Sequence, residues 1–240
     1  MISRNKLKNG FLIILLVLMP RIVVADTLKT FIANFHREYT KKGEKENLEG
    51  EVFYDFVLKK LYILLQMPVK QWMILQGFET IIYYPDEKQA FRLKSKIDAV
   101  MPFFQAFIGC MQEDFGLSSL GYSLANYVRK GHVLTSNWNP PPRFAKLLGK
   151  AILVYDSRRL IRVEYRNPSG HIMREGTFGQ HIQYGGYFFP LEISIISKSP
   201  AEPELEKILY LNPILNAPFP KKIKEFNIPA SVTVKEIEWQ

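Results

Sequence analysis

From residue 48 onward the chain is a succession of short β-prone runs, each closed by turn-forming residues, and this punctuation constrains the fold more than any other feature. Runs over 51–57, 61–67, 71–76, 80–84 and 89–93 are rich in branched and aromatic side chains. Pro68, Gln76-Gly77 and Pro85-Asp86 lie between them. Five such runs with short connections predict antiparallel strands forming the first half of a curved sheet. Strands are expected again over 150–156, 160–166, 171–178, 187–196 and 208–212, with turns at Asp156-Ser157 and Asn167-Pro168-Ser169-Gly170.

Two regions depart from this habit. Residues 27–42 carry Leu28, Phe31, Ile32, Phe35 and Tyr39 at spacings of three and four, which predicts a helix, followed by a charged loop over 42–47. Residues 97–127 place Val100, Phe103, Phe104, Phe107, Ile108 and Met111 at helical spacing, with a second helical piece over 120–127. The expected architecture is mainly β with α: two sheet halves separated by a helical insertion that lies over an apolar face. A stripe of Phe and Met serves equally as ordinary core or as a lid over a cavity. The segment 137–143 is a Pro-rich loop, and residues 213–240, with Pro213, Pro218, Pro220 and Pro229, either add strands or wrap the sheet.

The N-terminus is of a different kind. Arg4, Lys6 and Lys8 precede the apolar run 11–19, and Val23-Val24-Ala25 offers small residues before Asp26. That order predicts a cleavable signal peptide over 1–25 and export from the cytoplasm. The apolar run is about half the roughly 20 residues a spanning helix needs, and Pro20 and Arg21 end it. The single domain is then 26–240. Loss of the four basic residues in 1–25 lowers the formal net charge from +9 to +5, a weak signal for nucleic acid and one compatible with acidic partners or anionic lipid headgroups. Cys110 is the only cysteine, so the fold has no internal disulfide, and its Phe and Met neighbours predict a buried, unreactive thiol.

Catalytic and metal signatures are weak. His36, His132, His171 and His181 show no ligand spacing. The run Gly116 to Gly121 is not a nucleophile elbow, because its second glycine is one position late. No phosphate-binding loop or zinc pattern is present, so neither an enzyme nor a cofactor is expected. A lipid hydrolase would need Ser118 or Ser119 to converge with His132 and an acid.

Gly50-Glu51-Val52-Phe53-Tyr54, the strand ending at Pro68, Gly77, and Ile81-Ile82-Tyr83-Tyr84-Pro85 resemble, in order and spacing, the first half of the LolA-type periplasmic lipoprotein carriers. The second half is similar too, through Leu160 to Tyr165, the turn at 167–170, Arg174 to Phe178, and Gly185-Gly186-Tyr187-Phe188-Phe189-Pro190. The resemblance spans roughly 26–215. It implies an unclosed antiparallel β-barrel, a half-barrel covered by a helical lid, working in the periplasm. It also implies a carrier that takes acylated lipoproteins from an inner-membrane ABC transporter to an outer-membrane receptor, and a monomer.

Exposing three acyl chains of about fourteen methylenes to water costs on the order of 30 kcal/mol, so such a carrier must supply apolar surface of its own. Counting back from Pro68, the acyl-contacting positions implied by the resemblance fall on Leu61 and Ile63. Strand alternation adds Leu65 on the same file and Val52, Tyr54 and Phe56 on the preceding strand. Phe104, Phe107, Ile108 and Met111 would close the cavity from the lid. Plain core packing demands the same residue types. The chain departs from the family at 56–60, Phe-Val-Leu-Lys-Lys, where carriers often have an Arg-Pro whose Arg latches the lid; Lys59 offers only a single-point donor. Free lipid or glycolipid as cargo, or sensing of envelope components, fits the same fold.

Overall fold

The computed structural model describes residues 27–94, 102–198 and 202–238. The expected signal peptide lies outside these residues. One 14-stranded sheet dominates, in the order β16-β6-β5-β4-β3-β2-β1-β15-β14-β11-β10-β9-β8-β7. In chain order, its first half comprises β1 (Thr30–Lys41), β2 (Glu44–Asp55), β3 (Lys60–Met67), β4 (Gln71–Gln76), β5 (Glu79–Tyr84) and β6 (Gln89–Lys94). Helix α1 (Pro102–Gly109) precedes β7 (Ser123–Lys130), β8 (Val133–Asn139), β9 (Ala151–Asp156), β10 (Arg159–Arg166) and β11 (Ile172–Gly179). A separate hairpin of β12 (Ile182–Tyr184) and β13 (Tyr187–Phe189) leads to β14 (Glu192–Lys198) and β15 (Pro203–Leu215). The chain ends with a short helix α2 (Lys221–Lys224) and β16 (Val234–Glu238). All pairings in the sheet are antiparallel except β16 with β6. The two outer strands, β16 and β7, leave the sheet unclosed.

The helix expected over 27–42 is a strand. Phe31, Ala33 and Phe35 alternate into the core, so the segment satisfies period two as well as the helical spacing. Full-length pairing with β2 on one side and β15 on the other then decides between them. The charged loop shrinks to a two-residue turn, Lys42-Gly43, both with positive φ. Gly50 sits where the β2–β3 register shifts; a Cβ there would lie 2.2 Å from the Leu64 carbonyl oxygen, which no side chain tolerates.

Sequence and structure also differ around the insertion. The second helical piece is a single 3-10 turn, Ser118–Leu120, followed by β7, and the Pro-rich loop begins only after β8. The expected long strand over 187–196 is broken at Pro190 into β13 and β14. The C-terminal segment does both things the sequence left open. It crosses the outer face of β2 to β6, packing Phe219 and Ile223 on Phe53, Tyr62 and Leu64, and Phe226 and Val232 on Tyr83 and Ala90. It then adds β16 beside β6.

Candidate functional site

One apolar cluster fills the inner face of the sheet. It draws Phe31 and Phe35 from β1, Val52 and Tyr54 from β2, Leu61 and Ile63 from β3, and continues across β15 and β14 to Leu153 on β9. A flat sheet would hold β4 and β9, eight positions apart in the strand order, at about 38 Å. Their common filling, with α1 between, makes this an open, half-barrel type of sheet.

The ten expected lining residues meet in this cluster. Val52, Tyr54, Leu61, Ile63, Phe104 and Phe107 are buried, and Phe56, Leu65, Ile108 and Met111 pack against them partly buried. The alternation is as the pleat requires: Leu61, Ile63 and Leu65 face inward, while Tyr62 and Leu64 face the C-terminal wrap.

Helix α1 is the whole of the helical cover among the described residues, eight residues long, so the broad lid implied by the resemblance is reduced to one short plug. Its grip is aromatic. Phe107 lies 4.5 Å from Phe31, 5.0 Å from Tyr210 and 5.9 Å from Phe189 between ring centroids. Phe104 stacks on Phe107 at 5.1 Å and meets Tyr54 edge-on at 5.4 Å. Beyond α1, the Tyr155 hydroxyl on β9 donates to the Glu113 carbonyl at 2.7 Å, tying the end of the insertion to the far half of the sheet.

Lys59 is not the latch. It is exposed in the β2–β3 turn at φ 50°, where Asp55 accepts hydrogen bonds from the Val57 and Leu58 amides. Cover and sheet are joined by ring packing there.

Ionisable groups inside the cluster are held neutral. Burial pushes the Cys110 thiol and the Tyr210 hydroxyl well up, and the Tyr210 oxygen has no hydrogen-bond partner among the described residues. Burial likewise pushes Tyr165 up to about 12. A thiol kept protonated is a poor nucleophile, as expected for Cys110.

The hydrolase constellation does not form. Ser118 and Ser119 precede β7 and His132 follows it, so the eight residues of that strand separate them by about 25 Å. The Ser118 amide donates to Asp114, and His132 sits 3.5 Å from Asp156. Ser118 and Ser119 line a surface cleft of about 510 Å³ with Gly121, Pro141 and Arg143. Among the described residues no group of three or more His, Cys, Asp or Glu side chains is placed to hold a metal ion. No described helix is long and apolar enough to cross a membrane.

A large unclosed sheet, antiparallel but for its β16 edge, with an apolar inner face plugged by one short helix defines the fold class. Comparison with solved structures makes the class specific. A Vibrio parahaemolyticus domain named for outer membrane lipoprotein sorting matches with TM-score 0.56 at 12% identity, over 83% of this chain and 91% of that one. A LolA superfamily protein from Nitrosomonas europaea matches with TM-score 0.54 at 15% identity, over 82% and 90%. A DUF1329 family protein from Desulfovibrio piger matches with TM-score 0.53 at 12% identity, over 84% and 91%. The fold is LolA-like. The sequence itself matches no family model and no curated protein.

Proposed function

We propose that the protein is an exported carrier of acylated lipoproteins in the periplasm, holding acyl chains against the inner face of the sheet and passing them toward the outer membrane without covalent chemistry. The observation that carries this reading is the seat of Phe104 and Phe107. Two aromatic side chains on one short helix occupy the middle of a continuous apolar face. Lifting α1 would uncover Val52, Tyr54, Leu61 and Ile63 together, a surface that acyl chains can cover in its place. Such exchange leaves apolar area buried in both states, so loading and release need not cross the full cost of hydrating the chains. Supply by an inner-membrane ABC transporter and delivery to an outer-membrane receptor belong to this proposal, as does a monomeric carrier. The domain is 26–240 once residues 1–25 are removed.

The test places a photo-crosslinking amino acid at Ile63 in the native host, irradiates living cells and identifies adducts by mass spectrometry. Triacylated proteins captured at Ile63, and not at the exposed Lys42, are the expected result. Free lipids alone would replace lipoprotein with lipid as the cargo. An absence of adducts would make Ile63 part of a permanently closed core and reject the carrier reading.

A further inference from the structure

One end of the sheet collects the β2–β3, β4–β5, β7–β8 and β9–β10 turns, as the pairing registers require. Two neighbouring turns at that end project large apolar side chains into solvent: Val57 and Leu58, 70% and 59% exposed, and Phe78, 59% exposed. The β3 and β4 strands that carry them pair directly, so the two tips lie roughly 10 Å apart.

The same end is rich in unpaired cations. Lys29, Lys59, Arg129, Lys130 and Arg158 are exposed there, and none of the five is in an ion pair among the described residues. Its carboxylates are mostly engaged: Asp55 by the turn amides, Asp156 by Arg159, Glu79 by Arg92 and Glu192 by Lys207, while Glu238 and Glu113, whose carbonyl meets Tyr155, have no ion pair among the described residues. The opposite end mixes lysines that face carboxylates, Lys41, Lys45 and Lys70 with Glu204, Glu38 and Asp86, with exposed cations such as Lys88 and Lys146 that have no ion pair among the described residues. Apolar tips with Lys29 and Lys59 beside them, and further cations along the same rim, complement the boundary of an anionic bilayer, where acyl chains begin beneath a layer of phosphate.

We infer that this rim docks directly on an anionic lipid surface. Val57, Leu58 and Phe78 enter the interface, and the five cations lie at the level of the phosphates. The orientation stands the strands end-on to the membrane and leaves the C-terminal wrap free. It does not depend on what the inner face carries.

The test is vesicle flotation of the chain from Asp26, which contains every described residue of the fold. Vesicles of equal parts phosphatidylglycerol and phosphatidylcholine are compared with phosphatidylcholine alone. Binding to the anionic vesicles, weakened by salt, is expected. The Leu58→Asp/Phe78→Asp pair should lose about tenfold or more in affinity. Lys59→Asn/Arg158→Asn, with Asn chosen because both positions have positive φ, should lose about twenty-five-fold, roughly fivefold per cation. Met67→Asp/Val69→Asp, exposed at the opposite end, should bind as the parent does. Equal binding to neutral vesicles, no binding, insensitivity to the rim pairs, or loss in the opposite-end pair would each overturn the inference. Circular dichroism and melting curves matched to the parent make the affinities comparable.

Discussion

Phe107 on α1 rests against Phe31 on β1 with ring centroids 4.5 Å apart, so the single covering helix is pinned at the middle of the sheet rather than at its margin. Core and cavity differ in what happens when that pin is removed. Phe107→Ala should lower unfolding stability by about 3–5 kcal/mol, the usual loss for a buried phenylalanine. If the face is built for acyl chains, lysophosphatidylglycerol should fill the vacated space and restore most of the lost melting temperature, while leaving the parent nearly unchanged. A variant destabilised to the same degree with and without lipid would mark the cluster as closed core. Denaturant and thermal unfolding monitored by circular dichroism make both measurements.

Tyr210 carries a different expectation. Its ring packs on Phe31, Phe104 and Phe107, but its hydroxyl is buried without a partner among the described residues. An unsatisfied buried hydroxyl costs about 1–3 kcal/mol, and removing it leaves the ring contacts intact. Tyr210→Phe should therefore raise stability by about 1 kcal/mol, read from the urea midpoint at unchanged slope. A loss instead would mean that the hydroxyl has a partner in solution, such as a bound water.

The physical reason for what the sequence disclosed lies in burial. Strands β3 to β6 and β9 to β11 alternate between the inner face and another environment, and turn residues end them, so period and punctuation agree. The inner file of Val52, Tyr54, Leu61 and Ile63 was legible for that reason. Strand β7 was not, because all eight of its residues are exposed and no burial alternation exists to be read. The spacing of Leu124, Tyr127 and Val128 mimics a helix instead. Strand β1 satisfied two periods at once, and only its partners β2 and β15 select one; β2 follows after a two-residue turn, but β15 comes from near the far end of the chain. The outer cluster of Phe53, Tyr62 and Leu64 shows strands buried on both faces, but its cover, Phe219 and Ile223, comes from a Pro-broken tail with no period of its own. The rim of Val57, Leu58 and Phe78 was invisible for the converse reason. In the sequence they are turn-flanking apolar residues, and only the registers place both turns at one end.

His181 supplies a pH signature. It is half-buried beside the β12–β13 hairpin with Nε2 2.9 Å from the Leu160 carbonyl, and burial, reinforced by the Arg159 charge, holds its pKa below the usual 6.5. The carbonyl contact opposes that shift without reversing it. In the unfolded chain His181 protonates near pH 6.5, whereas in the native protein it resists protonation to lower pH. The unfolded state then binds more protons across that window, so stability rises with pH there. The contribution is complete above about pH 6.5 and is lost as the pH falls from there toward the native pKa. His181→Gln, which keeps a donor for the Leu160 carbonyl, should remove this decline below about pH 6.5 and leave stability near pH 8 little changed. Urea midpoints across that range for parent and variant decide it; parallel profiles would place the acid sensitivity in another group.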